Sequence, residues 1–204
     1  MIEGVGTKGD GATGVTGERN RRADARRNVD GLLRAAMEVF AEAGVDAPSR
    51  VIAARAGVGV GTLYRHYPQR SDLIVAAFRN EVEACAEAAT VLGRHHPPFP
   101  ALASWLHRYA EFIAAKLGLS AALHSGDPAY QGLPQLFESK LLPAARTLLA
   151  AAAASGEVRE DVDALELLYA IASVSLPIDG LRPGHAHRMV DLLVAGLRSR
   201  AAIT

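Results

Sequence analysis

The stretch GVGVGTLYRHYPQR, Gly57 to Arg70, decides the fold. Glycine alternates with valine, and two tyrosines, a histidine and two arginines follow. Such a run can cradle the phosphates of a nucleotide. It can also form the tight turn of a helix-turn-helix, whose second helix presses against DNA phosphates. Nucleotide motifs need a strand ahead of the glycines, whereas the chain ahead of Gly57 has helical periodicity. The run also lacks the third glycine at dinucleotide spacing and the Lys-Ser/Thr ending of a P-loop. A second pattern, GVGTKG (Gly4, Gly6, Gly9), has the form G-x-G-x-x-G. It lies in a polar segment with no strand before it and no helix expected after it.

Working outward, RRADARRNVDGLLRAAMEVFAEAG predicts a helix with Val29, Leu32, Leu33, Ala36, Phe40 and Ala43 on one face and Gly44 as its left-handed stop. Pro48 suits a first helical position, and SRVIAARAG predicts a short helix ending at Gly57. A second short helix, about 60–67, is closed by Pro68. Ile52, Ala53, Ala56, Val58 and Leu63 can then close a small core with Leu33, Ala36 and Phe40. Gly59 and Gly61 would let the second short helix approach a sugar-phosphate backbone. Thr62, Tyr64, Arg65, His66 and Arg70 are left to point outward. An ordinary helical hairpin with a polar face meets the same spacing equally well.

Beyond Pro68, SDLIVAAFRNEVEACAEAATVLG predicts a long helix with Ser71 as N-cap and a stripe of Leu73, Ile74, Ala77, Phe78 and Val82. RHHPPFP breaks it. Helices follow at about 99–117, 134–155, 161–176 and 185–201, with a glycine-containing connector before the second. No segment alternates at a period of two, and no internal repeat occurs. Half of the residues are apolar and only 5% aromatic, a balance that favours helix over sheet. The expected class is all-α, with a three-helix unit at 21–70 and a larger bundle at 71–204. Residues 1–20, rich in Gly and Thr, are expected to form a disordered tail.

Net charge is zero, but its distribution is uneven. From Arg19 to Arg70 there are ten arginines against five acids, and from Glu81 onward ten basic against thirteen acidic residues. One end is suited to a polyanion. Cys85 is the sole cysteine, which excludes an internal disulfide framework and a thiolate zinc cluster. The first residues lack the apolar core of a secretory signal, and no run is long enough to span a bilayer. The expected location is the cytoplasm.

LLRAAMEVFAEAGVDAPSRVIAARAGVGVGTLYRHYPQRSDLI resembles the DNA-binding region of TetR-family transcriptional regulators. The family pattern is met in order and without gaps by Phe40, Gly44, Ile52-Ala53, Ala56-Gly57-Val58, Gly61, Leu63-Tyr64, His66-Tyr67, Arg70 and Leu73, within residues 26–78. GEVREDVDALELLYAI is similar to the run that opens the penultimate helix of many members. The resemblance implies a ligand-responsive homodimeric DNA-binding regulator, a repressor released from a palindromic double-stranded operator by a small-molecule effector. It implies that Thr62, Tyr64 and His66 touch DNA and that Arg70 meets a phosphate. Gly59 replaces the frequent capping Ser. Val60 stands where many members carry a polar base reader, which favours an apolar contact such as a thymine methyl. Pro48 replaces a Thr/Ser phosphate contact, leaving Ser49 or Arg50 to substitute. With Gly61 and Arg65, these complete the expected DNA surface. Arg21, Arg22, Arg26 and Arg27 would act as a flexible arm. Helices at 161–176 and 185–201 would form the dimer interface, and helix 71–93 the lever between the units.

For the effector pocket the candidates are Trp105, Tyr109, Phe112, His124, Phe137 and Tyr169, and the low charge of the body helices suggests an apolar or weakly polar effector. The pairs His95-His96 and His185/His187 border Pro or Gly and read as solvated loop ends, so no metal is expected. His107 and His124 read as satisfied core or surface residues or as polar anchors in the pocket. No nucleophile elbow or isolated carboxylate pair occurs, so neither an enzyme nor a cofactor is expected.

Overall fold

The computed structural model describes residues 12–176 and 182–198. Its elements are α1 (Ala12–Ala43), α2 (Ser49–Arg55), α3 (Val60–His66), α4 (Arg70–His95), α5 (Pro98–Leu117) and α6 (Ser120–Leu123). A 3₁₀ turn at Pro128–Tyr130 leads to α7 (Pro134–Leu136), which runs through a π-helical turn (Phe137–Leu141) into α8 (Leu142–Ala154). Then come α9 (Ala164–Val174) and α10 (His185–Gly196). Among the described residues the only extended pairing is an isolated antiparallel bridge between Val158 and Arg198. The chain is all-α, as its composition favours.

The apolar stripes behave as their spacing predicts. Leu32, Leu33, Ala36 and Phe40 of α1 are buried, as are Leu73, Ile74, Ala77, Phe78 and Val82 of α4. Ala43 is an exception: it is exposed at the end of α1. The turns need glycine where φ is positive, at Gly44 (75°) and Gly57 (68°). Seven-residue helices are too short to persist alone, so α2 and α3 depend on packing. Ile52 and Leu63 are almost wholly buried against Phe40 and its neighbours, and each contributes roughly 1.5–3 kcal/mol.

Three expectations are corrected. Helical backbone begins at Ala12, so residues 12–20 are not a tail and the arginines at 21–27 stand on α1 rather than on a flexible arm. Extending an existing helix through Ala, Glu and Arg is far easier than nucleating one. Pro48 is the N-cap of α2 rather than its first residue. Ser71 is not the cap of α4. Gln69 is, because Asp72 reaches back to its backbone N–H at 3.2 Å and closes a capping box, with a carboxylate at the positive end of the helix. The patterns at Gly4–Gly9 and the helix end at 199–201 lie outside the described residues.

One continuous apolar core runs from α1 to α10. Trp105, at its centre, donates from Nε1 to the backbone oxygen of Cys85 at 2.8 Å. Burial pushes the Cys85 thiol up to about 12. The buried Glu81 of α4 is paired with Arg108 of α5, so its charge is compensated. At the far end of α5, Gly118 abuts the end of α1. A Cβ there would fall on the carbonyl oxygen of Phe40 and 2.8 Å from Cα of Ala41. This contact joins the three-helix unit to the bundle backbone-to-backbone. Gly118→Ala should therefore destabilise the chain by about 1–3 kcal/mol, the usual cost of overpacking, as measured by urea unfolding. A variant that unfolds like the wild type would show that α1 and α5 are not held this closely.

Candidate nucleic-acid interface and interior cavity

Because Leu63 points inward, the remainder of α3 is sorted by helical rotation. Gly61 and Arg65 lie opposite Leu63 and are exposed. Val60 and Tyr64 occupy one flank, 37% and 51% exposed. Thr62 and His66 occupy the other, half-buried and exposed respectively. No side chain caps α3. Its N-cap Gly59 is extended, and the backbone oxygen of Gly59 accepts from Thr62 N at 2.9 Å. The N-terminus of α3 therefore carries no side-chain cap.

The Val60/Tyr64 flank faces the start of α2 across a cleft of about 520 Å³ lined by Pro48, Ser49, Arg50, Tyr64 and Arg70 among others. Tyr64 donates its hydroxyl to Ser49 Oγ at 3.3 Å, and Arg50 is exposed at the rim. Arg55, on the opposite side of α2, is held by Glu42 at 2.7 Å and Glu38 at 3.4 Å. These exposed pairs contribute little energy, but they turn a positive charge away from the cleft. Arg27 is exposed on α1, while the side chains of Arg21, Arg22 and Arg26 lie outside the described residues.

Arg70, at the back of this cleft, is anchored to backbone. It is turned into the protein, donating from Nε to the Val45 oxygen at 2.9 Å and from a terminal nitrogen to the Ala47 oxygen at 2.7 Å. Its guanidinium lies 4.8 Å from the centroid of the Phe40 ring. Burial lowers its pKa from the ordinary arginine value, yet it remains charged. These bonds satisfy carbonyls that the α1–α2 turn leaves without helical partners. Sequence spacing could not reveal this, since an arginine at a helix start reads equally well as an outward clamp.

The bundle contains a second cavity, of about 310 Å³. Phe78 and Val82 of α4, Tyr109, Phe112 and Ile113 of α5, the π turn and α9 surround it, with Lys116 and Glu138 as its charged groups. Of the six expected pocket residues, Tyr109, Phe112, Phe137 and Tyr169 line it. Trp105 and His124 do not: Trp105 is committed to the core through its bond to Cys85, and His124 is exposed on the connector after α6. Tyr109 stacks on Trp105 at 5.8 Å, and burial raises its phenol pKa. Phe78 and Val82 were legible only as core, because a stripe facing a cavity and one facing a packed neighbour have the same period. The π turn, which widens the helix where Phe137 and Leu141 border the cavity, has no periodic signature of its own.

The histidine readings change as well. His95 closes α4 and His96 is its C-cap, both exposed. His185 and His187 lie in the first turn of α10 rather than in a loop, and Asp191, four residues after His187, shares its helix face. His107 pairs with Asp191 at 3.0 Å.

The sequence profile of the bacterial regulatory proteins of the tetR family matches residues 32–77, and that of the SbtR-like transcriptional regulator C-terminal domain matches residues 97–199. A TetR transcriptional regulator from Streptomyces coelicolor is 40% identical, with 84% of this chain and 98% of that one covered and a TM-score of 0.73. The chain belongs to the TetR family of transcriptional regulators. Members are generally ligand-responsive, non-enzymatic DNA-binding repressors, typically dimeric. The TetR regulator from Mycobacterium vanbaalenii is 34% identical over 87% of this chain and 99% of its own, with a TM-score of 0.68. FadR from Bacillus subtilis, solved with stearoyl-CoA, is 20% identical over 82% of this chain and 98% of its own, with a TM-score of 0.54. It shares the fold alone. No curated protein sequence matches the chain.

The Arg70 geometry gives a stability prediction. Arg70→Ala should cost about 2–3 kcal/mol in urea unfolding, because charged hydrogen bonds to two carbonyls are lost. Arg70→Lys should recover less than half, since an ammonium cannot reproduce the forked arrangement. A loss below about 0.5 kcal/mol, the range of a neutral surface change, would contradict the inward role.

Proposed function

We propose that this TetR-family regulator binds a palindromic operator as a homodimer and is released from it by a small apolar or weakly polar effector. The observation that carries the reading is the face of α3: Leu63 anchors the helix, while Gly61, Tyr64 and Arg65 are left exposed beside an uncapped N-terminus. In this reading α3 enters the major groove, and two copies related by a two-fold axis meet half-sites roughly 34–36 Å apart. Tyr64, His66, Thr62, Ser49, Arg50 and Arg65 meet phosphates or base edges, and Val60 offers an apolar surface to a base. Arg70 positions the turn beneath them instead of meeting DNA.

The dimer surface is the outer face of α9 and α10. Tyr169, Ser173 and Leu176 form one exposed stripe along α9 and just past its end, and on α10 Leu192 is 64% exposed beside the exposed Ala195. Exposed large apolar groups on two adjacent helices suit a partner surface. The 310 Å³ cavity is the effector site. Its aromatic and aliphatic walls favour an apolar body, and Lys116 and Glu138 provide for a polar end. Phe78 and Val82 put α4 in direct contact with the effector, so occupancy biases the helix that carries Arg70 and the DNA-reading unit. The shift in operator affinity equals the difference in effector affinity between the two arrangements.

The test is a mobility shift with the DNA upstream of the protein's own gene. Wild-type protein should retard it, and Tyr64→Ala combined with His66→Ala should abolish the retardation while leaving the chain folded, because both side chains are exposed. Equal retardation by the double variant would remove α3 as the reading element.

A further inference from the structure

We propose that His107, His187 and Asp191 form a binding site for a divalent transition-metal ion of the zinc class, which clamps α10 to α5. One ligand atom from each of the three lies within 4.8 Å of the others. His107 projects from α5. His187 and Asp191 lie one turn apart on one face of α10, a spacing that places two side chains over the same point. His107 Nε2 is 3.0 Å from Asp191 Oδ1, and the two imidazole rings face each other at a centroid separation of 4.0 Å.

The distances suit an ion. Ligand atoms about 2.0–2.1 Å from a tetrahedral centre stand roughly 3.3 Å apart. The His107–Asp191 separation already meets this, and the remainder closes by side-chain rotation of His187, which is exposed. His107 is more constrained, with its side chain 20% exposed. Its Nδ1 is buried without a hydrogen-bond partner among the described residues, so the ring acts outward only through Nε2, which faces the carboxylate. Nε2 is therefore the ring nitrogen open to an ion.

The donor set selects the metal class. Two imidazoles and one carboxylate match zinc and its neighbours, whereas calcium and magnesium require six or more oxygens or waters in an oxygen-rich cage. Three protein ligands leave a fourth tetrahedral position to solvent, which the exposure of His187 and Asp191 permits. The site is separate from the cavity, but it holds α5 immediately before Tyr109 and Phe112, and it holds α10 beside Leu192. An ion here ties the wall of the cavity to the exposed apolar face of α10, and it stabilises the folded chain by mass action.

The test uses the full chain stripped with a chelator. Calorimetric titration with zinc chloride should give one ion per chain and a raised unfolding temperature, and cobalt(II) should develop the visible absorption bands of a low-coordinate site. His187→Ala and Asp191→Asn, both at exposed positions, should each weaken zinc binding about tenfold or more, as expected when a metal site loses a partner. His185→Ala, two residues away and outside the cluster, should bind as the wild type does. Failure of the wild type to bind would overturn the proposal, as would binding that survives in His187→Ala or is lost equally in His185→Ala.

Discussion

The DNA-facing half of the molecule depends on Arg70. As the first residue of α4, it closes the carbonyls of Val45 and Ala47 and covers the ring of Phe40. Three elements thereby converge on one guanidinium: the end of α1, the turn into α2 and the start of α4. The pair α2 and α3 is too short to hold itself in place, and this anchor, with Ile52 and Leu63 beneath it, gives it a fixed seat. A lysine could supply the charge at this position but not the fork.

The same helix reaches the interior. α4 begins at Arg70, forms the cavity wall at Phe78 and Val82, and carries Glu81 to its pair with Arg108. A second link, the close seat of Gly118 on the Phe40 carbonyl, returns from the bundle to the end of α1. Beside the shared apolar core, two of the links between the three-helix unit and the bundle thus meet at Phe40, one through its ring and one through its backbone. Close-packed elements of this kind shift between discrete arrangements and do not deform smoothly.

Much of this was legible in the chain. The core faces of α1 and α4 follow from a period of 3.6, and the left-handed stops at Gly44 and Gly57 from glycine itself. The helix-turn-helix followed from the ordered run from Phe40 to Leu73. What was not legible has a shared physical cause. The direction of Arg70, the commitment of Trp105 to the Cys85 carbonyl and the meeting of His107 with Asp191 are contacts between elements distant in sequence, and local periodicity carries no record of them. The cap of α4 was missed for a different reason: a serine and a glutamine–aspartate box offer competing solutions two residues apart, and the longer reach of Asp72 decided between them.

In the proposed function, α3 reads DNA from a two-fold symmetric dimer. The most direct measurement is selection from a randomised duplex pool, followed by titration of the enriched sequence at several salt concentrations. The enriched duplex should carry a two-fold symmetric consensus with half-sites one helical turn apart, and its affinity should fall steeply with salt as phosphate contacts are screened. A pool that shows no enrichment, or an enriched site without symmetry, would contradict it.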